Sequence, residues 1–285
     1  MQKEDLKKIK KGTTRTLSIA ILIVGTLIVA YPFIWTFLMS LRSNPEIFSN
    51  IWGLPMEPKW VNYTTAWEQG NLGVAIKNSA IITLVSVAIL AVISPMAAYA
   101  ITKPIRFRRA IFYSFLVGMF LAPQVFIIPL YVLLNQMQLI DTHLGLIIVY
   151  VSGCLPYCII IIRAAFLGLP RALEDSARVD GLSTFQTYRK IMLPLVKPAV
   201  YTALIIEGLW IWNDFFYPLI LTRSREMFTL PLAIAIFRGG YMIQYGPLSA
   251  GVMISSLPVL ILYLVFADLI RRGVAGGVAV KGARA

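Results

Sequence analysis

Charged residues fall in clusters along this chain, and the intervals between the clusters are long and apolar. Arg15 to Arg42 encloses 26 uncharged residues, Lys77 to Lys103 encloses 25, and Arg109 to Asp141 encloses 31. A fourth run, Leu144 to Ile162, has 19 residues. A fifth, Pro198 to Thr222, is broken only by Glu207 and Asp214, and a sixth lies between Gly239 and Ala267, from about Ala250 onward. About 20 apolar residues rising 1.5 Å each cross the roughly 30 Å of a bilayer's hydrocarbon. The pattern therefore predicts an all-α, polytopic membrane protein with six transmembrane helices. Residues 16–270 form the transmembrane domain, between tails at 1–15 and 271–285. The first run is too long for the apolar core of a signal peptide and carries Tyr31, Phe33 and Trp35 where a cleavage site would need small residues, so it reads as a retained helix.

Composition agrees. Hydrophobic residues make up 58% of the 285 residues and charged ones 14%, which excludes soluble, disordered and disulfide-stapled classes. Cys154 and Cys158 share one helical face inside an apolar run and read as small packing residues. The formal charge of +13 is a matter of sidedness. Of 26 lysines and arginines, 20 fall on alternate segments that include both tails, and 6 fall on the others. The positive-inside rule then puts both termini in the cytoplasm of a multi-pass protein in the cell (inner) membrane. The apolar spans make membrane lipid a partner, and the basic balance, being a matter of sidedness, does not point to nucleic acid.

Three polar segments are long enough to hold structure. Leu41 to Asn71, outside, contains three prolines with Trp52, Trp60 and Trp67, and reads as an irregular cap with interfacial aromatics. The external segment 222–247 has turns at Gly239-Gly240 and Gly246-Pro247. The third, 167–197, faces the cytoplasm. Pro170 suits the first turn of a helix over Arg171 to Val179, Gly181 supplies a turn, and Ser183 with Gln186 forms a capping box opening a second helix that Pro194 ends. Such a loop lies on lipid headgroups or docks a soluble partner, and composition leaves both open.

The spacing in this loop resembles the cytoplasmic motif of permease subunits of ATP-binding-cassette importers, written EAA, three residues, Gly, nine residues, Ile-x-Leu-Pro. Here Asp175-Ser176-Ala177 precedes Arg178-Val179-Asp180 and Gly181, and nine residues later comes Ile191-Met192-Leu193-Pro194. Asp175 and Ser176 stand where the family has Glu and Ala, with Glu174 beside them as a substitute acid. Asn78-Ser79, Ala98-Tyr99-Ala100, Trp212-Asn213-Asp214-Phe215 and the glycine-rich tail Gly273 to Gly282 resemble the second permease of maltose-type oligosaccharide importers. The resemblance spans essentially the whole chain. It implies the type I importer permease fold and a sugar or oligosaccharide cargo. It also implies a homologous first permease, two copies of an ATPase holding ATP and Mg, and an external binding protein. The residues that would couple to the ATPase are Glu174, Asp175, Ser176, Ala177, Arg178, Asp180, Gly181, Ile191, Leu193 and Pro194. Those that would meet the binding protein are Gly239, Gly240, Tyr241 and Tyr245, and Arg271, Arg272 and Lys281 anchor a tail that would order against the ATPase.

The residues themselves fit a conduit rather than an enzyme. The sequence has no G-x-x-x-x-G-K-[ST] phosphate loop and no Cys/His metal spacing, so no cofactor or metal is expected on this chain. Its one histidine, His143, reads as a solvated residue of a tight external turn. At helical spacing Ala203, Glu207, Trp210 and Asp214 share a face, with Asn213 at its edge. That face either lines a sugar pathway or fixes helix packing through Glu207. Two rival classes are a secondary transporter, for which Glu207 is thin support, and a structural subunit of another membrane complex, which leaves the 174–194 motif unexplained.

Overall fold

The computed structural model describes residues 2–120, 122–239 and 242–261, with side chains from Ser18 onward. It is helical, with no strand among the described residues. In chain order the helices are α1 (Gln2–Ser40), α2 (Asn44–Ser49), α3 (Val61–Gln69), α4 (Leu72–Ala100), α5 (Arg108–Phe120) and α6 (Pro123–Gln136). They continue with α7 (His143–Leu167), α8 (Ala172–Val179), α9 (Thr184–Thr187), α10 (Leu193–Asn213), α11 (Phe216–Leu221), α12 (Leu230–Ala235) and α13 (Tyr245–Ile261). Four helical runs are each long and apolar enough to span a membrane: Ser18–Ser40, Leu72–Ala100, His143–Leu167 and Thr184–Asn213. α5 and α6, bent by 101° from one another, qualify together. α13 stands at the place of the sixth predicted span, and the chain beyond Ile261 lies outside the described residues.

The fifth span departs from the sequence reading. It starts at Thr184 rather than Pro198 and ends at Asn213 rather than Thr222. Pro194 does not end the second helix of the 167–197 segment. Instead α9 widens into a π-helical turn, Tyr188–Met192, in which the Leu193 N–H donates to the Tyr188 carbonyl, and the helix runs on as α10. A proline lacks its N–H and crowds the carbonyl four residues back. A wider turn placed just before Pro194 relieves both problems at once.

The described residues form two compact units, one from 2–70 with Ile234–Ser256, the other from Asn71–Ala233 with 257–261. The core of the second is a bundle of α4, α7 and α10, with α10 running opposite to the other two. Close approach is permitted by small or slender residues: Ser86, Ser94 and Ala98 on α4, Cys154 and Cys158 on α7, and Ala203 on α10 are all buried. The cysteines are thus packing residues, as their spacing suggests. A hydrogen bond between membrane helices contributes about 0.6 kcal/mol on average, so this close packing, rather than any single polar pair, holds the bundle.

In the first unit α1 stands with its apolar span unburied. Its C-terminal end is tied to the 243–246 turn. Asn62 donates to the carbonyls of Ser40 (2.8 Å) and Arg42 (3.0 Å). Asn44 donates to the Ile243 carbonyl (2.6 Å) and accepts from the Tyr245 N–H (3.0 Å). Gly246 fills the remaining gap, where a Cβ would stand 2.6 Å from the Arg42 carbonyl.

Polar side chains also pin the segment after α11. Asn78 donates to the carbonyls of Glu226 (2.7 Å) and Phe228 (3.0 Å), and the Ser79 hydroxyl accepts from Leu230 N–H. His143 is not a solvated turn residue: it opens α7, is half-buried, and its Nε2 lies 2.9 Å from Asn78 Oδ1. Asp141 accepts from the N–H groups of Arg223 (2.8 Å) and Ser224 (3.1 Å). Partial burial acts to raise the Asp141 pKa, but these backbone donors, the Ser224 hydroxyl and the Arg223 charge outweigh it and leave it below the usual value. A depressed carboxyl contributes stability above its unfolded pKa, about 3.9, and loses it as pH falls through the lower folded value. The Arg223 and Ser224 amides are therefore expected to keep their hydrogen-exchange protection at pH 5 and to lose it only as pH falls below about 3.9 and through the lower folded value, while Asp141→Ala removes that protection at every pH.

Candidate functional site

The spacing of the 175–194 motif has a local physical cause. α8 ends at Asp180, and Gly181 follows with φ +77°, in the left-handed region. The Leu182 N–H donates to the Ala177 carbonyl (2.9 Å) and the Gly181 N–H to that of Arg178 (3.0 Å). These are the two bonds of a Schellman cap, with Leu182 apolar above buried Ala177. The glycine supplies the left-handed residue that the cap needs, and the small Ala177 four residues before it packs inward. The next helix opens at once: Ser183 Oγ accepts from Gln186 N–H (3.3 Å) and Gln186 Oε1 from Ser183 N–H (2.9 Å). The result is a sharp corner whose backbone groups are satisfied on both arms.

The corner presents Asp175, Ser176, Arg178, Asp180 and Gly181 to solvent, with Val179 87% and Phe185 58% exposed. Asp175 lies 4.0 Å from Arg178, and both side chains are exposed. Glu174 does not join them. It turns back to form an ion pair with Lys103, which follows α4, and so is not a substitute for Asp175 on the outer face. Lys103 also stands 4.1 Å over the Tyr99 ring, and Tyr99 packs on Phe166 and Tyr188 at 5.2 and 5.3 Å. Tyr99 and Tyr188, with Met96, Lys103 and Phe185, line a cleft of about 420 Å³. Ile191 and Leu193 are half-buried against the bundle and Pro194 is exposed. Sequence reasoning missed Lys103, since nothing in local spacing links residues 71 positions apart.

At the other end of α10 the predicted face divides. Ala203 and Glu207 are buried, and Glu207 faces Cys154, Tyr157 and Cys158 of α7. Trp210 is 43% exposed and meets Tyr150 and Tyr217 edge-on at 6.0 and 6.3 Å. Asp214 leaves the helix altogether. Its backbone is extended, and its carboxylate accepts from the Tyr150 hydroxyl (2.9 Å) and from the N–H groups of Phe216 (3.3 Å) and Tyr217 (3.1 Å). It serves as the cap of α11, which is why the helix stops there. Asn213 is exposed and donates to the Leu209 carbonyl. Among the four, Trp210 and Asn213 face outward, while Glu207 and Asp214 are engaged inside the bundle.

Of the residues expected to meet a binding protein, Gly239 is exposed, and Gly240 and Tyr241 lie outside the described residues. Tyr245 is the first residue of α13, its ring edge-on to Phe48 at 5.7 Å, so it anchors the base of the turn rather than its tip. The tail 271–285, with Arg271, Arg272 and Lys281, also lies outside the described residues. No cluster of three metal-ligating side chains occurs among the described residues.

Residues 92–276 match the family described as the binding-protein-dependent transport system inner membrane component. The chain is 35% identical to MsmG, the multiple sugar-binding transport system permease protein of Streptococcus mutans, over 90% of this chain and 94% of that one. It is 31% identical to NgcG, the diacetylchitobiose uptake system permease protein of Streptomyces coelicolor, over 92% and 86%. Its fold matches a chain of a bacterial ABC transporter that imports the acidic polysaccharide alginate, with TM-score 0.76 and 23% identity over 91% of this chain and 97% of that one. The chain belongs to the family of binding-protein-dependent inner membrane transport components: it is a transport permease of the importer fold and not an enzyme. A secondary transporter and an unrelated structural subunit are thereby set aside.

Because a Cβ on Gly181 meets nothing within 4 Å, its replacement strains only the backbone. Asparagine tolerates the left-handed region and β-branched residues do not. Gly181→Asn is expected to retain the corner, whereas Gly181→Val costs about 1–3 kcal/mol locally. Exchange at the Leu182 amide should then rise by about tenfold or more in the valine variant alone.

Proposed function

We propose that this chain is one of two homologous permeases in an ATP-driven importer of a sugar or oligosaccharide, its other partners being an external binding protein and two copies of an ATPase that carry the ATP and Mg. Its termini and the 167–197 segment face the cytoplasm, in keeping with the distribution of lysine and arginine. The observation that carries the reading is the solvent-exposed corner at Gly181, which passes through an unbroken helical run into α10. A partner pressing on Val179 and Phe185 moves the fifth span with it, and alternating access follows as rigid-body motion of the bundle. The sugar assignment is supported by the named cargo of similar permeases. Trp210 and Asn213 are the outward groups of α10 suited to a hydroxylated ring, the indole offering a flat apolar face and the amide hydrogen bonds. Glu207 and Asp214 act through packing instead. The external segment that would meet the binding protein is held at Ile243 and Tyr245 by Asn44.

The direct test is purification of the chain with its partners, ATP-dependent uptake in proteoliposomes, and mass spectrometry of the ligand trapped in the binding protein. Absence of any co-purifying ATPase, or uptake without ATP, overturns the reading. Val179→Asp is expected to lower ATPase retention by about tenfold, since burying an exposed valine stabilises a contact by about 1.5 kcal/mol or more. Unchanged retention assigns the corner to lipid headgroups. Within α10, Trp210→Ala is expected to reduce uptake and change sugar selectivity in a complex of normal yield. Glu207→Gln lowers complex yield and leaves selectivity unchanged in what assembles. The opposite pattern places Glu207 in the pathway.

A further inference from the structure

The segment between α2 and α3 is apolar where a solvent-facing loop is polar. Trp52 is 73% exposed, Leu54 72%, Met56 89% and Trp60 60%, with Ile51 at 51%. Single exposed hydrophobics are ordinary, but a contiguous run of this kind marks a surface that meets something apolar. Its position along α1 says what. The Trp52 ring lies 6.4 Å from that of Tyr31 and 6.3 Å from that of Trp35, and Trp60 lies 6.5 Å from Phe37. Tyr31 is nine residues before the end of α1 at Ser40, about 13 Å down the axis. The span from Ser18 to Ser40 has 23 residues, about 34 Å, barely more than the hydrocarbon it crosses. After leaving α1 the chain therefore doubles back, and Trp52 stands at a depth the bilayer occupies, beside a helix whose apolar surface is itself unburied.

Irregular backbone at that depth needs partners other than water, and the start of this segment has them. Arg42 is 1% exposed, and its guanidinium donates to the carbonyls of Glu46 (2.7 Å), Asn50 (2.6 Å) and Ile51 (3.3 Å). Its Nε lies 3.7 Å from the Glu46 carboxylate, which in turn accepts from the Met56 N–H (2.7 Å). Asn50 accepts from the N–H of Trp52 (3.2 Å) through its side chain and of Gly53 (3.1 Å) through its carbonyl. Pro55 and Pro58 have no N–H to satisfy. A buried cation thus gathers the carbonyls inward, and the apolar side chains are left pointing out.

We propose that residues 50–60 form a wedge lying in the membrane interface at the Ser40 end of α1, with Trp52 and Leu54 among lipid acyl chains and Arg42 as the internal knot that makes its backbone compatible with lipid. The occupant is the phospholipid of that leaflet. Trp52 takes the place of an interfacial anchor and fixes how deeply α1 sits.

The test uses the full importer in phosphatidylcholine–phosphatidylglycerol vesicles. Nitroxide is attached singly at Leu54→Cys, at Ile28→Cys within α1, and at Glu57→Cys, whose native side chain is 83% exposed. Cys154 and Cys158 are buried and remain. The expected result is that dissolved oxygen reaches the label at 54 and a water-soluble nickel chelate does not, as at 28, with the preference reversed at 57. Nickel access at 54 equal to that at 57 puts the segment in water and overturns the proposal. Access by neither collider means that protein, a partner permease or the binding protein, covers the site, and overturns it equally. Arg42→Gln is expected to shift the label at 54 toward nickel access, and an unchanged label removes Arg42 from the argument. If that variant does not assemble, the measurement at 54 in the native background decides alone.

Discussion

A helix that stops leaves backbone amides or carbonyls without their helical partners, and the helices of this permease stop where the chain itself supplies others. Four interruptions meet this need in four ways. The corner after α8 closes with a glycine cap whose two bonds return to Ala177 and Arg178. Pro194 is absorbed by a π-helical turn. Where α10 gives way to α11, the Asp214 carboxylate accepts from the first N–H groups of α11. The irregular stretch after α2 is gathered onto a buried guanidinium. Each interruption puts a side chain or a corner at an end of the membrane span, where transport proteins meet their partners.

The helical class and much of the corner at Gly181 are legible in the sequence because both rest on local rules. Charge spacing marks spans, and the Ala177–Gly181 and Ser183–Gln186 pairs are caps that depend on neighbours only. The misreadings all concern partners distant in sequence, or rules that a neighbour overrides. Pro194 reads as a terminator on its usual effect alone, whereas one widened turn reverses it. Glu174 looked available for docking because Lys103 is invisible from local pattern. His143 looked solvated because Asn78, on another helix, is its partner. Asp214 was placed on the helical face by a period that the helix had already abandoned.

The polar residues of the second unit divide by role. Asn78, Ser79, His143 and Asp141 fasten connecting segments to helix ends, and none lies mid-bundle. Within the bundle the contacts are small and soft: serine, alanine and cysteine, with Glu207 facing the two thiols. Such an arrangement keeps each connection stiff at its ends, and the α7–α10 seam carries its bond from the Tyr150 hydroxyl to the Asp214 carboxylate at an end as well.

The ion pair between Lys103 and Glu174 gives the corner a second attachment. Through α9 and the π-helical turn it is continuous with α10, and through Lys103 it is tethered to the end of α4, which runs the opposite way. Held at two points, on antiparallel helices, the corner shares any displacement between α10 and α4 instead of passing it to one helix alone.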